Sequence, residues 1–139
     1  PLVAVNAGEK GDLTLDSIGD DAVAWVEESA GPGMCSPVAV DDRLYVLSRG
    51  ILACHDAKTG KRVYRERLQN ASSVTSSLWA VDGKVFALNE SGETMVIPVG
   101  DEFELMASNT TEGLFWSTPS IAGKSLLLRD AASLRCIRQ

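Results

Sequence analysis

Histidine occurs once in the 139 residues, at His55, and cysteine three times, at Cys35, Cys54 and Cys136. A single histidine confines any Ser-His-Asp arrangement to its own surroundings, and His55 falls in the middle of a predicted strand, a poor place for a general base. The cysteines form no CxxC pair, so the supply of ligands is thin for a zinc site, which needs about four that converge. Their odd number argues against a complete disulfide framework. Basic residues are the minority, 13 against 19 acidic, for a formal charge of −6. That balance argues against a nucleic-acid binder, which needs a basic footprint to displace phosphate counterions, and disfavours anionic membrane surfaces for the same reason. No apolar run approaches the roughly 18 residues of a transmembrane helix, and no basic-then-apolar signal layout opens the chain. The chain begins at Pro1 rather than Met and so reads as a processed product or a cloned piece, which leaves missing targeting signals uninformative. The glycine-rich segments GEKGD (8–12) and AGPGM (30–34) match neither the P-loop nor the dinucleotide fingerprint, both of which need a following helix that the pattern does not show.

What the chain does have is a 45% hydrophobic content, ordinary for a globular domain, and a repeat. The clearest copy is Ser36–Arg67. In it Ser36–Val40 leads through an Asp41-Asp42 turn to Arg43–Leu47. A second copy pairs Ser77–Val81 with Lys84–Leu88 across Asp82-Gly83, and a third pairs Thr118–Ile121 with Lys124–Leu128 across Ala122-Gly123. The period of about 40 residues lies in the propeller range. Asp-Gly between two apolar runs is a strong hairpin signal, because glycine takes the positive φ of a tight turn.

The third strand of each copy is Gly50–Cys54, Gly92–Ile97 and Ser133–Ile137. Cys54, Val96 and Cys136 share one repeat position, and the valine there makes small buried filler the simplest account of both thiols. Equivalent positions two blades apart are also too distant for Cys54 and Cys136 to pair. The fourth strand is predicted at Lys61–Arg67 and Glu102–Ala107, with Ala22–Glu28 as its counterpart upstream and Leu2–Val5 as the strand before that. Trp25, Tyr64 and Leu105 are in phase along this series. The charge of the Lys61–Arg67 strand suits an outer edge, where Lys, Arg and Glu discourage pairing with other chains.

The runs Leu44–Leu47, Val85–Leu88 and Leu126–Leu128 do not alternate polar with apolar, so these strands are covered on both faces. Sheets stacked face to face around an axis do this; one barrel or a two-layer sandwich leaves more alternation. The expected fold is all-β, a β-propeller of four-stranded antiparallel blades with about three and a half blades in this chain, about thirteen strands and no helix. The blade boundaries fall at 1–30 (the tail of one blade), 31–70, 71–112 and 113–139 (a last, incomplete blade), all in one partial domain. Propellers have about four to eight blades, so the terminal faces need cover, either from further blades of a larger propeller or from copies of the chain associating through their end blades.

The stretch Leu52–Tyr64, LACHDAKTGKRVY, resembles the repeat of PQQ-like β-propellers, in which a strand ends in Leu-Asp, turns through Thr-Gly-Lys and places Trp on the outer strand. Here His55 stands where Leu is usual and Tyr64 where Trp is usual, and Pro98–Asp101 replaces the turn in the next copy. Asp56 and Thr59 can bond the turn backbone, Gly60 supplies positive φ, and the aromatic packs between blades. With GEKGDLT, VDGKVFALNESGE and TPSIAGKSLLLRDAASLRCIR, the resemblance to the C-terminal blades of bacterial PQQ-like repeat proteins spans nearly the whole chain. It specifies fold more than function, because such blades occur in quinoprotein dehydrogenases, in an outer-membrane assembly lipoprotein and in ectodomains attached to kinases.

The resemblance implies a periplasmic or cell-envelope setting, and the lack of recognisable catalytic chemistry in the sequence favours a non-enzymatic module that binds a protein or small ligand, with no cofactor. The approaches to the inner strands, Met34–Ser36, Thr75–Ser77 and Phe115–Thr118, are expected near the central channel, so Trp79, Trp116, Ser77 and Thr118 are the candidate channel- or partner-facing residues. Interblade packing is the competing expectation for each tryptophan. Asp56, Thr59, Gly60 and Tyr64 are expected to close the blade rather than form a site. The alternative is part of a pyrroloquinoline quinone-dependent dehydrogenase with calcium. Against it, the adjacent cysteines of many alcohol-oxidising members are missing, and Asp41, Asp42 and Asp82 fall on turns, where Asp is common for backbone reasons.

Overall fold

Thirteen strands and no helix make up the computed structural model, which describes residues 1–8, 10, 22–71 and 73–138. Most of the GEKGDLT segment lies outside the described residues. Strands β1 (Leu2–Val5) and β2 (Val23–Glu27) form a two-stranded sheet. β3 (Val38–Val40), β4 (Arg43–Ser48), β5 (Ile51–Asp56) and β6 (Arg62–Arg67) form a four-stranded meander, as do β7 (Trp79–Val81), β8 (Lys84–Leu88), β9 (Glu93–Pro98) and β10 (Ala107–Thr110). The last sheet holds β11 (Ser120–Ala122), β12 (Ser125–Arg129) and β13 (Leu134–Arg138). Every pairing is antiparallel between consecutive strands.

The apolar runs of β4 and β8 are covered on both faces because alternate residues pack against different neighbours, whereas the outward face of β12 meets no described layer, contrary to the expectation for Leu126–Leu128. Along β4, Tyr45 and Leu47 point into a core shared with Val85, Ala87, Met95 and Ile97 of the second meander. Leu44 and Val46 point the other way, onto Leu2 and Trp25. Along β8 the same division sends Phe86 and Leu88 toward Phe115 and Leu128 of the last sheet. Three layers of core therefore separate four stacked sheets, the arrangement of a partial β-propeller.

One strand lies elsewhere than the sequence pattern predicts. The fourth strand of the second meander is Ala107–Thr110 rather than Glu102–Ala107. Pro98 ends β9, and Phe103 then packs into the core beside Tyr64, with ring centroids 6.0 Å apart, which pulls its segment out of the sheet. Pairing resumes where the Met106 amide donates to the Val96 carbonyl at 2.9 Å. Phe103, not the half-exposed Leu105, packs against Tyr64 in this seam. Cys136 is a second departure: Cys54 is fully buried, whereas Cys136 is exposed. It sits opposite Leu127 on the outward face of the last sheet, which no described layer covers.

Candidate functional site

The turn after β5 is built by one carboxylate. Asp56 Oδ1 accepts hydrogen bonds from the Lys58 amide (3.1 Å), the Thr59 amide (2.8 Å) and the Thr59 hydroxyl (2.8 Å). These bonds, led by the Thr59 hydroxyl, hold the Asp56 carboxyl below its ordinary range. Gly60 has φ of +72°, and a Cβ there would lie 2.5 Å from the Trp25 ring. Trp25 lies flat on this glycine and donates its indole N–H to the Ala57 carbonyl at 3.1 Å, so the outer strand of one sheet is fastened to the turn of the next. Only a residue without a side chain fits both the backbone and the ring.

Tyr64 occupies the corresponding place in the next seam. It packs edge-on against Tyr45 (6.5 Å) and Phe103 (6.0 Å), and burial pushes its phenol well above the ordinary value. The Tyr45 hydroxyl accepts the Gly100 amide at 3.0 Å, and Arg43 bonds Asp101, so two polar clips cross this seam as well. Neither clip carries a local sequence signature; Arg43, at the start of β4, and Asp101, in the bend after β9, are 58 residues apart.

Ser77 and Thr118 link sheets. The Ser36 amide donates to Ser77 Oγ at 3.0 Å and the Ser77 amide to Thr118 Oγ1 at 2.8 Å, each across 41 residues. The same hydroxyl position thus recurs once per repeat and joins each inner-strand approach to the next. Beside them, Ser76 Oγ donates to the Leu88 carbonyl (2.8 Å) and Cys35 Sγ to the Val74 carbonyl (3.2 Å). Trp79 is buried and stacked on Phe86 at 5.3 Å in the core facing the last sheet. Trp116 is different, with 54% of its surface exposed, and Met34, at the same repeat position two copies earlier, is 77% exposed. Residue pattern alone did not separate the two tryptophans. Phe115, one residue before Trp116, fills the core position, and its amide is tied to the Glu90 carbonyl (2.9 Å), which leaves Trp116 outside.

His55 is fully buried, and it points away from Cys54. Its Nδ1 lies 2.9 Å from the Gly60 carbonyl, which can only accept, so Nδ1 carries a proton, and in the neutral ring Nε2 is then a lone-pair acceptor. Nε2 has no partner among the described residues. Cys54 faces the opposite seam beneath Tyr45, where burial pushes its thiol up, away from the reactive thiolate. No group of three or more His, Cys, Asp or Glu residues that could hold a metal occurs among the described residues. No described helix is long and apolar enough to cross a membrane.

No protein-family model and no curated protein matches this sequence. Among solved structures the chain is similar to BamB from Moraxella catarrhalis, with a TM-score of 0.57 at 15% identity over 85% of this chain. The chain spans 36% of the length of that structure. At this identity the likeness shows the fold alone, that of a β-propeller.

Proposed function

We propose that this chain is a non-enzymatic PQQ-like propeller module that acts as an interaction scaffold, holding a protein partner or the neighbouring blades of a larger ring. One observation carries the reading: both terminal sheets turn apolar side chains outward. On the last sheet Leu127 and Leu134 face away from the core side defined by Leu126, Leu128 and Arg135, and Leu134 is 68% exposed. On the first, Val3 and Val26 form the pair opposite to the inward Leu2 and Trp25, and Val3 is 40% exposed. Faces of this kind, buried at each internal seam, favour a further sheet at the ends. The exposed Met34 and Trp116 give the loop end a second apolar surface for a partner.

The one histidine has its Nδ1 committed to a backbone carbonyl, which favours a binding role over nucleophilic catalysis at His55. Light scattering over a concentration series tests the end faces. The expected result is a mass that rises above 14.8 kDa and returns to it in Leu134→Asp. A monomer that persists at high concentration would remove self-association and leave cover by other blades. Bound-cofactor absorbance after addition of pyrroloquinoline quinone and calcium would overturn the non-enzymatic reading.

A further inference from the structure

The first seam contains a cleft of about 340 Å³, bounded by the segment after β2, the β4–β5 turn and one face of β5 and β6. Its size is near the lower end for small-molecule sites. Arg49, Arg62 and Arg65 line it together with Glu28, and the neighbouring Glu27 acts on both Arg62 and His55 through space, so three guanidinium groups stand here against two carboxylates. Neither Arg62 nor Arg65 forms an ion pair with a described carboxylate.

Two independent features suggest that the arrangement is built for a ligand. The first is a β-bulge. In a regular strand, residues three apart point to opposite faces. The register shift between Cys54 and His55 sets Ala53 opposite Arg65 and His55 opposite Arg62, with Val63 as the extra residue packed into the other seam. Both guanidinium-bearing residues therefore share the face of Ala53 and His55, as bulges beside binding sites often arrange. The second is His55 itself, fully buried at the cleft wall with Nε2 unpartnered. A buried polar atom without a partner is destabilising, so a donor supplied from the cleft would recover that loss.

The geometry points to a binding site for a small oxyanion that also bears a hydroxyl, its anionic oxygens held by Arg62 and Arg65 and its hydroxyl donating to His55 Nε2. Guanidinium groups suit planar carboxylates and phosphates alike. A hydroxy acid and hydrogen phosphate both combine the acceptors and the donor. This site does not depend on the scaffold reading, because an oxyanion could bind here whether or not the end faces find partners.

Isothermal titration of the full chain with tartrate, succinate and inorganic phosphate tests it. Tartrate and succinate share two carboxylates, but only tartrate offers a hydroxyl, and tartrate is expected to bind about tenfold or more tightly. Phosphate binding above tartrate would identify a phosphate ligand, and the reverse a hydroxy acid; either supports the site. In the double variant R62A/R65A, on an exposed outer strand, affinity is expected to fall about 10–100-fold. His55→Asn keeps an amide N–H for the Gly60 carbonyl but removes Nε2, and is expected to erase the tartrate preference. No heat with any probe, equal binding of tartrate and succinate to the unaltered protein, or affinity unchanged in R62A/R65A would each overturn the proposal. The first comparison needs no variant, so it stands even if His55→Asn fails to fold.

Discussion

The seam between the two four-stranded sheets and the seam between β1–β2 and β3–β6 are built from the two faces of the same strands, yet they differ in kind. On one face of β4 and β5, Tyr45, Leu47, Leu52 and Cys54 enter a core of eleven buried residues closed by Tyr64 and Phe103. On the other, Val46 joins only Leu2 and Trp25 in a buried cluster, and the remaining space is a polar cleft with His55 at its wall. The first seam is held by area and the second by one docked ring. Burial contributes roughly 25 cal/mol per Å² of apolar surface, so the larger core dominates stability, while the sparser seam has room for chemistry.

That contrast gives a ranked set of expectations under urea denaturation. Tyr45→Ala empties the wide seam and is expected to cost about 3–5 kcal/mol, against about 1–2 kcal/mol for Val46→Ala across the strand in the narrow one. Equal losses would show that the seams are equivalent and break the comparison. Gly60→Ala attacks the narrow seam at its fastening point, combining positive φ with a clash against Trp25, and about 2–4 kcal/mol is expected. Recovery in the double variant Gly60→Ala/Trp25→Ala would trace the loss to the ring rather than to the backbone. Tyr45→Phe keeps the wide core and removes only the acceptor of the Gly100 amide, for about 1 kcal/mol. The smallest effect is one of pH. Asp56 and Asp130 are held below the ordinary value of 3.8, chiefly by the hydroxyls of Thr59 and Ser133. Because folding lowers both, their stabilisation is present above that value and fades as pH falls through the lowered ones. Melting temperatures followed from about pH 5 to 2 should therefore fall less steeply in Asp56→Asn than in the unaltered chain. A parallel fall would show that the turn at the narrow seam does not depend on this charge.

Much of this contrast was legible in part. The 41-residue spacing of Ser36, Ser77 and Thr118 was visible as a repeat, but that each amide would bond the next hydroxyl depends on how sheets stack. The apolar run of β4 announced two covered faces without saying that one would be rich and the other poor. The Asp56–Gly60 turn was readable because its bonds are local. The arginines of β6 read as an outer edge strand from their charge alone; strict alternation would send Arg62 and Arg65 to opposite faces, and only the bulge reverses that. The fourth strand of the second meander was misplaced because Phe103 found its partner in Tyr64, 39 residues back, and sequence pattern carries no distance.

By itself, then, the sequence determined the local elements: the strand order, the hairpin turns at Asp82-Gly83 and Ala122-Gly123, the Asp56 turn, and the number of stacked sheets implied by the repeat. Those follow from backbone sterics and hydrogen bonds within a few residues. The tertiary structure alone decided which face of each strand met which neighbour, and so buried Trp79 while exposing Trp116, buried Cys54 while exposing Cys136, and left His55 Nε2 beside an arginine-lined cleft. Packing is a property of two surfaces, and each sheet of this chain carries only one side of every seam.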